Sequence, residues 1–279
     1  MTLRKIERLD PRYLFLILLV VASIPMIIPL GLPMKAGALT EKAYLIIESL
    51  PPESVVVIDA CMSAGYGPEL QTQFVALLRH LLSRPLKVVI VSFGTEGPML
   101  FDMALKGGLI SGPKVDLEKY GKVYGVDWVY LGYIPGGETA FASFARDSWM
   151  TKVDDENTPL DELPIMQYCK NIDDWSLSIT VTGGSFEQYI AQWSAAYGTT
   201  LIMGVPGVSA PRLFPYVATG QLAAMLVSLR GAGEYELLIK QPGLGAQLMD
   251  ILNLTQLLIV LSVIIGNILY FAGRLGGQK

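Results

Sequence analysis

The chain has 279 residues and a formal net charge of −4, with 52% hydrophobic and only 16% charged residues. An average soluble protein carries about 25% charged residues, so this composition points to segments withdrawn from water, and the acidic balance excludes an electrostatic nucleic-acid binder. One histidine and two cysteines exclude a disulfide-built scaffold and leave too few ligands for a histidine-based zinc site.

Residues 1–12 form a short tail in which Arg4, Lys5, Arg8 and Arg12 outnumber Glu7 and Asp10. The run from Tyr13 to Pro33 is apolar and uncharged. A bilayer core needs about 20 such residues as a helix, so residues 13–33 are read as a first transmembrane helix, with Pro25 and Pro29 kinking it. The sequence Ala-Gly-Ala at 36–38 resembles a cleavage site, but the apolar run before it exceeds a typical signal core.

Five short runs rich in valine, isoleucine and aromatics follow: Ser54–Ala60, Lys87–Gly94, Asp127–Pro135, Ser176–Gly184 and Thr199–Gly207. Such continuous apolar runs read as strands buried on both faces. Between them lie helical patterns. Residues 68–84 place Leu70, Phe74, Leu77, Leu78, Leu81 and Leu82 at helical spacing behind Pro68. Shorter helices are expected over 98–108, 138–150 and 185–198, the last with Ser185 as N-cap and Gly198 as C-cap. This alternation predicts an α/β fold: a Rossmann-like, doubly wound, mostly parallel five-stranded sheet, in the order 3-2-1-4-5.

Each expected strand ends in a loop of small residues, and all five loops fall at the strand carboxyl ends, where open α/β sheets bind ligands. The candidate ligand crevice is Asp59, Ser63, Thr95, Glu96, Gly136, Gly137, Glu138, Gly183, Gly184 and Ser185. Asp59 and Glu138 would form an acid–base pair if the first and third loops converged. The competing reading of each glycine is turn geometry alone. His80 falls mid-helix, away from these loops, and no nucleophile elbow, Walker loop or dinucleotide motif is present. No catalytic residue, metal ligand or cofactor is therefore assigned. Cys61 and Cys169 allow one disulfide, but a cysteine following a buried strand is commonly free.

Two segments break the alternation. Residues 152–175 are an acidic insertion, read as a solvated loop in preference to a calcium site. Residues 211–240 are read as an apolar juxtamembrane helical segment, in which Gly220, Ala224 and Ser228 at i, i+4 spacing form a helix-packing face. Residues 251–273 are apolar and uncharged and read as a second transmembrane helix, followed by the tail 274–279 with Arg274 and Lys279. Residues 35–247 hold 15 basic and 22 acidic residues. Basic tails predict that both termini are cytoplasmic and that residues 34–250 form an extracytoplasmic domain. The expected partners are the lipid bilayer, a homo- or hetero-oligomer of membrane proteins and a small ligand. The function expected from these parts is a non-catalytic scaffold subunit of a membrane assembly; the alternative is an anchored hydrolase or small-ligand sensor.

Overall fold

The structure is a computed structural model and describes residues 10–28, 30–32, 34–107 and 115–276. Most of the expected N-terminal tail, Pro29, Pro33 and residues 277–279 lie outside the described residues. The chain divides into two compact units, Met34–Gly245 and a second built from Met1–Pro33 with Ala246–Lys279.

The Met34–Gly245 unit is a mixed α/β domain around a six-stranded parallel sheet. Its strands are β1 (Val55–Asp59), β2 (Lys87–Ser92), β3 (Trp128–Tyr133), β4 (Leu177–Val181), β5 (Leu201–Val205) and β6 (Ala224–Val227), in the order β3-β2-β1-β4-β5-β6. Successive side chains of a strand face opposite sides. Val56, Ile58, Val88 and Ile90 therefore enter one core and Val55, Val57, Val89 and Val91 the other. The first core is closed by Ala43 and Ile47 of α2 (Ala38–Glu48), Phe74 and Leu77 of α3 (Gly67–Ser83), Phe101 of α4 (Gly97–Lys106) and Tyr235 of α8 (Ser228–Leu238). The second is closed by Phe141 and Phe144 of α5 (Glu138–Arg146), by α6 (Phe186–Tyr189), which runs on as a π-helical turn through Ile190–Ala195, and by Leu213 of α7 (Ala210–Ala218).

The sixth strand corrects the five-stranded expectation and divides the segment 211–240, which is helical in α7 and α8 but not between them. Gly220, Ala224 and Ser228 share no helix face. Gly220 turns the chain at φ +81, Ala224 opens β6, and Ser228 opens α8 at φ +59. Alanine is a poor strand former, which is why Ala223 and Ala224 read as helix. Their place beside β5 comes from pairing of Ile202 with Ala224 through Val205 with Val227.

The acidic insertion is not a solvated loop. All its acids but Asp154 face out, whereas Leu160, Leu163, Ile165, Met166, Cys169, Ile172 and Trp175 are buried against the second core. Asp154 is buried too, accepting the amides of Glu156 and Thr158 and the Tyr124 hydroxyl at 2.7–2.9 Å. Cys61 and Cys169 are both free.

The second unit holds α1 (Pro11–Ile27) and α9 (Leu244–Gly276). Leu244–Ala272, 29 residues, is long and apolar enough to cross a membrane, whereas α1 has 17 residues and is shorter than that standard. α9 starts seven residues before the expected span. Two polar side chains of α9 join the two segments. The buried Asp250 carboxylate accepts the amides of Leu30, Gly31 and Leu32 at 2.9–3.0 Å, and the Gln247 amide donates to the Pro25 and Met26 carbonyls at 3.0 and 3.1 Å. The Pro25 carbonyl needs such a donor, because residue 29, four positions on, is a proline without an N–H.

Candidate functional site

In the strand order the chain leaves β1 toward β2 and returns to β4 on the other side of β1, so the crevice of an open α/β sheet is expected beyond β1 and β4. An open crevice of about 260 Å³ lies there. Three connections build it: Cys61–Ser63 after β1, Gly94–Glu96 after β2 and Thr182–Ser185 after β4. Of the ten expected crevice residues, Ser63, Thr95, Glu96, Gly183, Gly184 and Ser185 line it.

The walls are tied by short contacts. The Glu96 carboxylate accepts the Ala64 amide at 2.5 Å, linking the β2 and β1 connections. The Thr182 hydroxyl donates to the Gly184 carbonyl at 2.7 Å and accepts the Gly184 amide at 3.1 Å. A Cβ on Gly183 would stand 2.9 Å from the Tyr66 ring and 3.0 Å from Ser63 Oγ. Gly97, at the start of α4, is tighter still: a Cβ there would fall 1.8 Å from Ser92 Oγ and 2.3 Å from the Ala60 carbonyl. Gly97→Ala must push α4 off the sheet edge, and an overpacking loss of about 1–3 kcal/mol is expected in denaturant unfolding.

Asp59 lies outside the lining, fully buried at the end of β1. Its carboxylate accepts the Phe93 amide (3.1 Å), the Thr180 hydroxyl (2.9 Å) and the Tyr189 hydroxyl (2.5 Å). Burial pushes this carboxyl up to about 7, although all three hydrogen bonds favour the charged form. Cys61 lines the crevice; burial, followed by the Asp59 charge, pushes its thiol up to about 12. A thiol so placed stays protonated and is a poor nucleophile.

The Asp59–Glu138 pair is not formed. Glu138 is exposed on α5 and its carboxylate accepts from Gln192 at 3.0 Å, while every Asp59 bond is made inside the domain. Gly136 and Gly137 also lie away from the crevice lining. Gly137 has φ 55 and ψ −130 and Gly136 has φ 123, angles that glycine alone adopts readily. Turn geometry thus accounts for the pair.

His80 sits on α3, buried, with one ring nitrogen 2.7 Å from the Tyr235 hydroxyl and the other 3.0 Å from Glu48. Burial holds its basicity below the usual range, against the pull of Glu48. It belongs to a core network and not to the crevice. Among the described residues, the crevice lining carries hydroxyls, a thiol and one carboxylate, with no lysine, arginine or histidine. It therefore has hydrogen-bonding capacity for a small polar ligand without a fixed positive charge for a phosphate, and no hydroxyl in it is paired with a base. Among the described residues, no group of three His, Cys, Asp or Glu side chains is placed to hold a metal ion.

Cys61, Met62, Gly94 and Thr182 complete the lining. Their positions directly after expected strands were the available signal. Tyr189 carried none, since 130 residues separate it from Asp59. Comparison of the chain with protein-family models, with curated proteins and with solved structures finds no match.

Proposed function

We propose that this protein is a membrane-anchored, non-catalytic structural subunit of a larger membrane assembly. In this reading α1 and α9 cross the bilayer as an antiparallel pair, both termini are cytoplasmic, and the α/β domain is extracytoplasmic. The observation that carries it is α9. Over Leu244–Ala272 the helix is apolar, and Val260, Val263, Ile265, Ile268 and Phe271 are each more than half exposed. Continuous surface of that kind is stable in lipid or against apolar protein, not in water.

The 17-residue α1 rises about 25 Å, near the lower limit for a core of about 30 Å. The Asp250 and Gln247 bonds support the pairing, because they satisfy backbone groups at the helix ends that lipid leaves without partners. The basic tails support the orientation.

Extraction into mild detergent followed by native mass spectrometry is expected to give a defined oligomer, of this chain alone or with other membrane proteins. A monodisperse monomer overturns the reading. The crevice beside β1 and β4 favours a second reading, an anchored hydrolase or small-ligand sensor. A monomer that retains a small-molecule adduct in the same spectra would select it.

A further inference from the structure

Within the apolar stretch Leu244–Ala272, α9 carries the side-chain amides of Gln247, Asn253, Gln256 and Asn267. Gln247 donates to the Pro25 and Met26 carbonyls. Among the described residues, no hydrogen bond engages the amides of Asn253, Gln256 and Asn267. The hydroxyls behave differently: Ser262 donates to the Leu258 carbonyl of its own helix, and the Thr255 oxygen is withdrawn from the surface.

The three open amides fall on one line. With Val260, Val263 and Tyr270 they follow the spacing 3-4-3-4-3 along the chain, which is the a/d repeat of a left-handed coiled coil. Val260, Val263 and Tyr270 are each more than half exposed, Gln256 and Asn267 are exposed, and Asn253 is half-buried. The stripe is not the side that α9 withdraws within its own unit. There Leu258 and Ser262 are half-buried, and two residues of helix turn each of them about 160° from Val260. Asn267 stands seven residues before Arg274, the first charge after the apolar stretch, or about 10 Å along the axis. In a bilayer crossed by α9 its amide therefore lies below the headgroups, where an unpaired polar group is costly.

We propose that this stripe is the seam on which α9 of a second copy docks, giving a parallel two-fold pair of chains. The inference rests on the membrane-anchored reading above and names the partner in it. Copies inserted in one membrane with one orientation are parallel, so an in-register seam sets each residue opposite its own counterpart. A side-chain amide holds a donor and an acceptor together, so two identical amides bond reciprocally. Asparagine at the a positions 253 and 267, with β-branched valine at 260 between them, suits two strands and fixes their register. An unlike partner would need matching amides at the same three depths, whereas a second copy supplies them by symmetry.

The test is oxidative cross-linking and native mass spectrometry of the full chain in mild detergent. Val263→Cys lies on the stripe and Ile265→Cys about 160° from it; both positions are more than half exposed, and neither change removes an amide. Val263→Cys is expected to give a disulfide-linked dimer and Ile265→Cys to remain largely single. Asn267→Leu keeps the bulk and removes the amide, and should weaken the dimer about tenfold on dilution; Asn267→Gln should restore most of it. Equal cross-linking at 263 and 265, or a dimer unchanged in Asn267→Leu, overturns the seam. A defined assembly holding one copy of this chain among other proteins overturns the seam and leaves the structural-subunit reading standing. A monodisperse wild-type monomer overturns both.

Discussion

Trp193→Ala is expected to remove about 4–5 kcal/mol of folding stability from the α/β domain. Trp193 lies in the π-helical turn after α6 and has no exposed surface. Its indole meets Tyr189, Trp175 and Phe93 edge-on, at centroid distances of 5.1, 5.4 and 6.1 Å. Its N–H donates to the Phe141 carbonyl at 3.1 Å, tying α6 to α5. Truncation opens a cavity that these stiff rings cannot collapse into, forfeits the edge-to-face contacts, and leaves a buried carbonyl without its donor. A domain stable by roughly 5–15 kcal/mol could lose most of that margin. Urea unfolding of the full chain in detergent, followed by near-ultraviolet circular dichroism, measures the loss. Trp193→Phe should recover part of it; a change below about 1 kcal/mol in Trp193→Ala would show that the ring cluster is not a structural centre.

The second large effect is a loss of stability as pH rises through neutrality. An unfolded aspartate titrates near 3.9, whereas burial pushes the folded Asp59 up to about 7. The native state therefore holds a proton that the unfolded state has released. The stabilisation is fully present below about pH 4 and is lost progressively as pH rises through about 7. Three pH units correspond to about 4 kcal/mol as an upper bound. His80 has the opposite sign: burial lowers its basicity, so its contribution is lost as pH falls below its unfolded value near 6.5. Glu48 and Glu187 are also lowered and act only in acid. The wild-type chain compared with Asp59→Asn between pH 6 and 8 thus isolates Asp59. The wild type is expected to lose melting temperature relative to the variant across that window, since His80 acts equally in both. Parallel profiles would mean that Asp59 is ionised in the fold throughout.

The sheet was legible because Val-Val-Val-Ile-Asp and Lys-Val-Val-Ile-Val-Ser can hardly be anything but strands buried on both faces. The order of the first five strands followed from alternation and chain economy. β6 was not legible. Four residues beginning with alanine carry little strand signal, and only β5 beside them decides the matter. The insertion misled for a related reason. Its carboxylates dominate the composition, but Leu160, Ile165 and Trp175 are spaced irregularly by short 3-10 turns, so no period announces the buried side.

At the crevice, position after a strand was enough to find Ser63, Thr95, Glu96 and the Gly183–Ser185 turn. Position after β3 misled for Gly136, Gly137 and Glu138, because β3 is an edge strand, separated from β1 by β2. Asp59 was singled out for its place at the end of β1. Its burial could not be read, since it depends on Thr180 and Tyr189, 121 and 130 residues away.

The Asp250 clasp sets an order of events during synthesis. The amides of Leu30, Gly31 and Leu32 leave the ribosome 218–220 residues before the carboxylate that accepts them. At about 5–20 residues per second, that interval is roughly 10–45 seconds. Throughout it the first apolar segment must be held by lipid, water or a chaperone, and the whole α/β domain can fold before the ends of the chain are fastened. A nascent chain that stops short of residue 250 keeps those amides open, which marks it chemically as unfinished.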